Sequence, residues 1–590
     1  MSDSLSRRDF VKLAGAAGAG SLAGPGGGAQ LSAQTPDILP LTSTSEVFVP
    51  SRGNAFHKFS FDFPEPSVEF AGLRFGFLVF TRENVYGLDR SRMAVEHGPD
   101  ALTLTCTGMV WAGGQERAPG RLVARFRRSG ETVEWDATAE MQRPIKSVTS
   151  IIRGLPRGRL SSGGGAPFDP RDDEVLWGYP FGAGDLFGGN TAWGLGTPLV
   201  SIQAGDGDVR SLSSLDDRVR AKRFYFQPGE SGYKVEAVFE AEGWRDQPRL
   251  EVPAWRLVRT STVEEATRLH YAHLERAYDL PTWESRRDVP DWLRDIGLVL
   301  QLHGAHYTGY LFNDFARMLE ILRWVADRFP ARRVLAFLPA WDGRYYWNYP
   351  LYRADERMGG EAGLRRLVTE GRRLGFRFMP MFGMNAANRR HAEFEQFADA
   401  ATSKIDGERF DLDWVDWDND RHEEGWLAYM NVGVDSWRQW LSRRISDVIE
   451  RYGVDAYFLD ITGGWMNNPR ADMHEGTRRL VAELRARYPQ VLACGEFHYD
   501  ALLSVFPLFH VYSQPGTRYA RFFSHLSHPA PGRGSTGVHE AGFGGWDTAT
   551  LNMRRGPIPT ISVVDDTFTR YRDVMAAAIA RALELGGTSP

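Results

Sequence analysis

Only two cysteines, Cys106 and Cys494, occur in 590 residues. So few exclude a disulfide framework and any cysteine-based metal site. An excess of one charge is missing too: 70 basic residues face 75 acidic ones, a net charge of -5. Nothing in that balance draws the chain to nucleic acid or an anionic membrane. The apolar run near the N-terminus is too short and too rich in glycine to make a stable membrane anchor. There is no dinucleotide fingerprint and no phosphate-binding P-loop. "GDLFGG" and "GRGSTG" lack the strand–turn–helix setting of a serine nucleophile elbow. No internal repeat is visible.

What remains is long and ordinary in polarity. With 42% hydrophobic and 25% charged residues the chain reads as globular, and its length calls for more than one core. Tryptophan (18) and glycine (62) are both high. Aromatic walls on long loops suit flat neutral ligands such as sugars, although a large core with many turns accounts for the same composition. The N-terminal "SRRDFVKLAGAAGAGSLAG", with Ser6-Arg7-Arg8-Asp9-Phe10-Val11-Lys12, resembles a twin-arginine export signal. It implies the twin-arginine export machinery as a partner, cleavage near Ala29 or Ala33, and a periplasmic or secreted mature protein.

Residues 45–285 carry short alternating apolar runs, among them "LRFGFLVF", "TVEWDATAEM" and "YKVEAVFEAEG", split by Gly, Pro, Asn and Asp. This pattern predicts a β-sandwich. The Gly-rich stretch 161–198 reads as a long loop and 277–295 as a linker. Beyond 295, apolar runs alternate with amphipathic helical stretches: "IGLVLQLHG", "RVLAFLPAWDG", "FRFMPMFGMN", "DAYFLDITGG", "QVLACGEFHYD", "LFHVYSQ", "TGVHEAG" and "PTISVVDDT". Eight such strands predict a (β/α)8 barrel. The expected organisation is a signal peptide over 1–33, a sandwich over 40–285 and a TIM barrel over 286–590.

Active sites of such barrels lie at the C-terminal strand ends, and polar residues gather there. The first strand ends at His303 and His306. The second ends at Trp341, Asp342, Arg344, Tyr345, Trp347 and Asn348, whose aromatics suggest a sugar-stacking platform. The third ends at Asn385 and Asn388, the fourth at Asp460, and the fifth at Glu496 and His498. His539 and Glu540 are expected to end the seventh strand, and Asp565 and Asp566 the eighth. Any one of these is readily a turn or cap residue; their convergence on one rim is the signal. Neighbouring strands lie ~4.8 Å apart. Asp460 and Glu496 therefore suit the roughly 5–5.5 Å between the carboxyl groups of a retaining glycosidase. The apolar "VLACG" before Glu496 suggests a desolvated acid/base, which leaves Asp460 as nucleophile. Glu496 paired with Glu540, and a non-catalytic carbohydrate-binding barrel, are the alternatives.

"AYMNVGVDSWRQWLSRRISDVIERYGVDAYFLD" followed by "ACGE" resembles the retaining α-glycosidases of the α-amylase type. It is also similar to the endo-α-N-acetylgalactosaminidase-like barrels, which carry a β-sandwich before the barrel. The resemblance covers roughly 295–590 and implies an α-linked substrate, Asp460 as nucleophile and Glu496 as acid/base. Phe458 stands where the amylase type has arginine, and the Asn-His-Asp triplet of its seventh strand is absent, which argues against an α-1,4-glucan.

Asp416-x-Asp418-x-Asp420 begins like a Ca2+-binding EF-hand loop. Arg421 and Leu427 then stand at its required glycine and closing glutamate. A solvated or substrate-facing loop is the stronger reading, and no cofactor is expected apart from that Ca2+ candidate. His525, His528 and His539 match no zinc spacing, so no metal site is expected.

Overall fold

The computed structural model describes residues 38–40 and 66–587, except 112–114, 164, 166, 172–173, 181–192, 230–231, 246, 307–308, 345, 404–406, 412–425, 512–516, 525–536 and 544–556. The export signal, Tyr345, the acidic loop beyond Asp411, His525, His528 and the middle of the Gly-rich loop lie outside the described residues.

Two mainly antiparallel sheets pack face to face over residues 66–260. Thr132–Met141, in one sheet, alternates strictly between buried and half-buried positions, as a strand with one face on a core must. Its Trp135 and the neighbouring Phe126 meet Phe75 of the other sheet at 5.1 and 4.9 Å between ring centroids. The Trp135 indole N–H crosses the gap to donate to Ser150 Oγ at 3.1 Å. In the opposite sheet, Tyr233–Glu240 is buried along its whole length. Its charges are paired: Lys234 with Glu236 at 3.4 Å and Arg223 with Glu240 at 2.6 Å. A helix, Val263–Ala277, capped by the Thr262 hydroxyl, follows the last sandwich strand; the linker reading begins only at its last turn.

The second half is a ring of parallel strands: β1 Leu298–Leu302, β2 Val334–Leu338, β3 Arg377–Gly383, β4 Ala456–Asp460, β5 Leu492–Glu496, β6 Leu508–Val511, β7 Arg521–Ser524 and β8 Thr560–Val563. From β1 to β7 each pairs with the next, and β8 pairs with β1. A single parallel bridge, Phe523 to Ile558, links β7 to the approach of β8, so the barrel is nearly closed. Helices α1 Phe315–Ala326, α2 Gly360–Leu374, α3 Asp435–Tyr452, α4 Met473–Arg487 and α5 Arg572–Gly587 follow β1, β2, β3, β4 and β8. Asp314 caps α1 and Asp472 caps α4, while α2 and α3 end on left-handed Gly375 and Gly453. Among the described residues no α-helix lies between β5 and β8, where the eightfold alternation expected from the sequence lapses.

The seventh strand also differs from expectation. It is "RFFS", Arg521–Ser524, not "TGVHEAG". The latter supplies His539–Ala541, an antiparallel strand on the outer edge of β8. The lumen is filled rather than open. Directly paired residues of parallel strands point the same way, so Phe337, Phe458, His510 and Phe523 all face inward. Their rings meet at 4.7 Å (Phe337–Phe458), 5.7 Å (Phe458–His510) and 5.4 Å (His510–Phe523).

Candidate active site

β4 and β5 run side by side with Leu459 opposite Gly495. That register brings the next pair, Asp460 and Glu496, to the same height on the lumen side, one layer above Phe458 and Cys494. Both are buried, at 3% and 7% exposure. Beyond each carboxylate the chain turns sharply. Ile461 has φ 61° and Phe497 φ 55°, a left-handed backbone that a β-branched residue adopts only under constraint. Such a conformation costs about 1–3 kcal/mol and persists where its surroundings over-determine it. The Ile461 N–H points back at Glu496 Oε2, to which it donates at 2.8 Å. Thr462 Oγ1 donates to the Glu496 carbonyl at 2.5 Å, and so does the Gly463 N–H at 3.0 Å.

The two carboxyl groups are in hydrogen-bonding contact. Two carboxylates in contact cannot both ionise at neutral pH. Burial, and then the charge of Glu496, pushes Asp460 well above the usual carboxylate range. Burial also raises Glu496, against hydrogen bonds from Asp460 and the Ile461 N–H that favour its ionised form. Asp460 Oδ2 is buried with no hydrogen-bond partner. Burial thus favours one proton held on the pair, and desolvation acts on both members alike.

Around the pair stand Tyr349, Tyr352 and His510, which the sequence pattern did not reveal, together with Asp342 and Asn385, which it did. Tyr349, in the loop after β2, makes a hydrogen-bonding contact with Asp460 that favours its ionised form. The Tyr349 ring lies against Gly383 at the end of β3, where a Cβ would fall 2.1 Å from it; only glycine leaves that space. Tyr352 donates to the Gly383 carbonyl at 2.9 Å. His510, on β6, places Nδ1 3.7 Å from Glu496 Oε1, and burial holds its imidazole neutral. Asp342, from the end of β2, is 2% exposed, with Oδ2 unpartnered. Burial, with a smaller push from Asp355, raises its carboxyl to about 8. At neutral pH it is a carboxylic acid, able to donate. Asn385 Nδ2 donates to the carbonyls of Ile461 at 2.9 Å and Gly464 at 3.2 Å, bracing the turn after Asp460.

The fold has known counterparts. The α-N-acetylgalactosaminidase NagBb of Bifidobacterium bifidum, in complex with GalNAc, superposes with a TM-score of 0.58 at 15% identity, over 76% of each chain. Its ligand-free form gives 0.54 at 15% identity, over 77% of this chain and 82% of that one. An α-galactosidase of Geobacillus stearothermophilus gives 0.45 at 11% identity, over 87% of this chain and 74% of that one. No family model and no curated protein sequence matches this chain. At such identity the likeness is one of fold: a barrel accompanied by a β-domain.

The remaining predicted residues scatter. Trp341 is no stacking platform: it is fully buried and its indole N–H donates to the Met381 carbonyl at 2.9 Å. Trp347 is half-buried against Trp426 at 5.3 Å, with Arg344 over its ring at 4.8 Å. Asn348 Nδ2 donates to the Asp342 carbonyl and so shapes the β2 loop. Gln301 Nε2 lies 2.6 Å from His303 Nε2, inside the barrel. His306 packs edge-on against Phe312 in the loop after β1. His498 would face the lumen if β5 continued; the turn at Phe497 sends it outward to Phe509 and Phe522, at 5.4 and 5.5 Å. Asp565 accepts from the Tyr310 hydroxyl at 2.6 Å, and Asp566 accepts from the Gly537 N–H at 2.9 Å. His539 and Glu540 belong to the outer strand. Glu540 lies opposite Ile561 and pairs with Arg581 of α5 on the barrel exterior, which removes it as a partner for Glu496. Among the described residues no three His, Cys, Asp or Glu side chains converge as a metal site.

Proposed function

We propose that the protein is a glycoside hydrolase of the retaining type, acting on an α-linked sugar, with Asp460 as nucleophile and Glu496 as acid/base on a (β/α)8 scaffold. The observation that carries this reading is the pair itself: two buried carboxyl groups in contact, at matched positions on adjacent strands, at the C-terminal rim. A fold like that of an α-N-acetylgalactosaminidase supports the α configuration. The twin-arginine motif supports export to the periplasm or beyond.

In this reading a sugar hydroxyl donates to Asp460 Oδ2, the oxygen that lacks a partner. Asp460 is then favoured as the anion, and the shared proton passes to Glu496 along the existing contact. Asp460 attacks the anomeric carbon while Glu496 protonates the departing glycosidic oxygen, as that bond breaks. Glu496, now ionised, takes a proton from water, which displaces Asp460 and restores the pair. The sugar must part the two carboxyl groups to sit between them, and the protonated Asp342 and Tyr349 are placed to hold it.

The test is hydrolysis of a panel of aryl glycosides and polysaccharides by the wild type, Asp460→Asn and Glu496→Gln. Wild-type turnover is expected, with Asp460→Asn inactive on every substrate and Glu496→Gln retaining activity on aryl glycosides whose leaving groups need no proton. The reverse pattern would exchange the two roles, and no turnover by the wild type would reject the reading.

A further inference from the structure

Hydrogen bonds from the sandwich's strands and strand connections reach two loops of the barrel. One follows Asp460 and the other follows Glu496. On the first, Asn467 is 4% exposed. Its Nδ2 donates to Glu240 Oε1 at 2.9 Å and to the Ala241 carbonyl at 2.8 Å, and its Oδ1 accepts from the Gly243 N–H at 2.5 Å. Gly243 sits so tightly against the loop that a Cβ would meet the Asn468 carbonyl at 3.1 Å. On the second loop, Asp500 is 1% exposed. Its Oδ1 accepts from the Tyr179 hydroxyl at 2.5 Å, its Oδ2 from Thr197 Oγ1 at 2.9 Å, and its N–H donates to the Gly196 carbonyl at 2.6 Å.

We propose that the β-sandwich is a positioning scaffold for the carboxylate pair, acting through Asn467 and Asp500. The inference rests on the reading of Asp460 and Glu496 as catalytic. Asn467 lies seven residues beyond Asp460, and Asp500 four beyond Glu496. Between carboxylate and tether, each loop passes through a left-handed residue, Ile461 or Phe497. Conformations of this kind hold only where neighbouring contacts fix the chain on both sides. The barrel strand fixes one side; the sandwich fixes the other. Both tethers saturate polar groups that would otherwise be buried unpaired, so each has a single favourable geometry. A loop free to shift by a fraction of an ångström would alter the contact between the two carboxyl groups, and with it the proton they share. Asn467 and Asp500 touch neither carboxyl group. They are positioning residues.

The experiment uses the full chain and three variants. Asn467→Asp keeps the shape of the side chain but turns a donor into an anion facing Glu240. Tyr179→Phe removes one donor to Asp500. Val148→Ala opens the sandwich core without removing any hydrogen bond of either tether and reports simple loss of stability. On a glycoside the wild type hydrolyses, the two tether variants are expected to lose about tenfold or more in kcat, with KM within about threefold and one limb of the pH–rate profile displaced. Val148→Ala is expected to lower Tm while keeping kcat and the profile within about twofold. Tether variants that behave like Val148→Ala overturn the proposal. If the wild type hydrolyses nothing, the proposed function fails and a second readout decides this inference. The infrared carbonyl stretch of the protonated pair, assigned by its change in Asp460→Asn, is titrated with pH. A midpoint displaced in both tether variants and unmoved in Val148→Ala sustains the positioning role; one unmoved throughout overturns it.

Discussion

Asp460 and Glu496 touch, yet only Glu496 receives a backbone donor, the Ile461 N–H at 2.8 Å from the residue directly after Asp460. One strand end thus supplies both a carboxyl group and the hydrogen bond that makes its neighbour the better anion. The asymmetry lies in the peptide that joins Asp460 to Ile461, and substitutions around the pair are expected to act through it.

Removing the Tyr349 hydroxyl takes away a donor that favours ionised Asp460. Tyr349→Phe is therefore expected to raise the pH at which Asp460 ionises. If Asp460 must be an anion to attack, the acidic limb of the pH dependence of kcat/KM moves to higher pH, with little change on the alkaline side. A limb that stays in place would show that Tyr349 does not act on this group.

Asp342 gives a stability prediction. Its folded carboxyl titrates at about 8, against ~3.9 for an unfolded aspartate. Below both values both states are protonated and no stability is at stake. As pH rises between them, the unfolded chain gains an ion that the folded one resists, so stability falls across that window and levels off above it. Asp342→Asn removes the penalty. Its Tm relative to wild type is expected to climb from about pH 4 to about pH 8, measured by thermal unfolding in a buffer series, and sugar affinity to weaken.

Glu540→Gln is expected to leave turnover within about twofold and to cost no more than about 1 kcal/mol, because it breaks only a part-exposed pair with Arg581. Chemical denaturation and steady-state kinetics check both. Activity lost to the degree seen in Asp460→Asn would return Glu540 to the mechanism.

Buried His270, His306, His498 and His510, with the half-buried His474, make the fold sensitive to acid. Burial depresses His270 to about 3, and His306, His474 and His498 to about 4 each. The unfolded imidazoles titrate near 6.5. Stability is complete above that value and is lost as pH falls toward the folded values, since only the unfolded chain takes up protons there. Unfolding midpoints in urea should drop steeply from about pH 6.5 to about pH 4, and His474→Gln should flatten that slope.

Much of the barrel was legible because β1 to β5 are apolar runs of five to seven residues followed, in most cases, by amphipathic helices with clear caps and glycine stops. β7 was not. Its four residues, three of them buried, show neither alternation nor, among the described residues, a flanking helix, and the more conspicuous "TGVHEAG" took its place. Asp460 and Glu496 stood out because an apolar run ending in a carboxylate needs a reason. Tyr349 and His510 did not, since their roles come from contacts across strands. His498 misled for a local reason: the alternation that should have placed it beside Glu496 is broken by one left-handed residue, Phe497. Trp341 misled because position at a strand end says nothing about which way an indole turns.

The plugged lumen has a consequence for traffic. With the rings of Phe337, Phe458, His510 and Phe523 packed across the lumen, no path leads through the barrel to the carboxyl groups from the strands' N-terminal end. Under the proposed function a sugar and its products would therefore come and go on the C-terminal side alone.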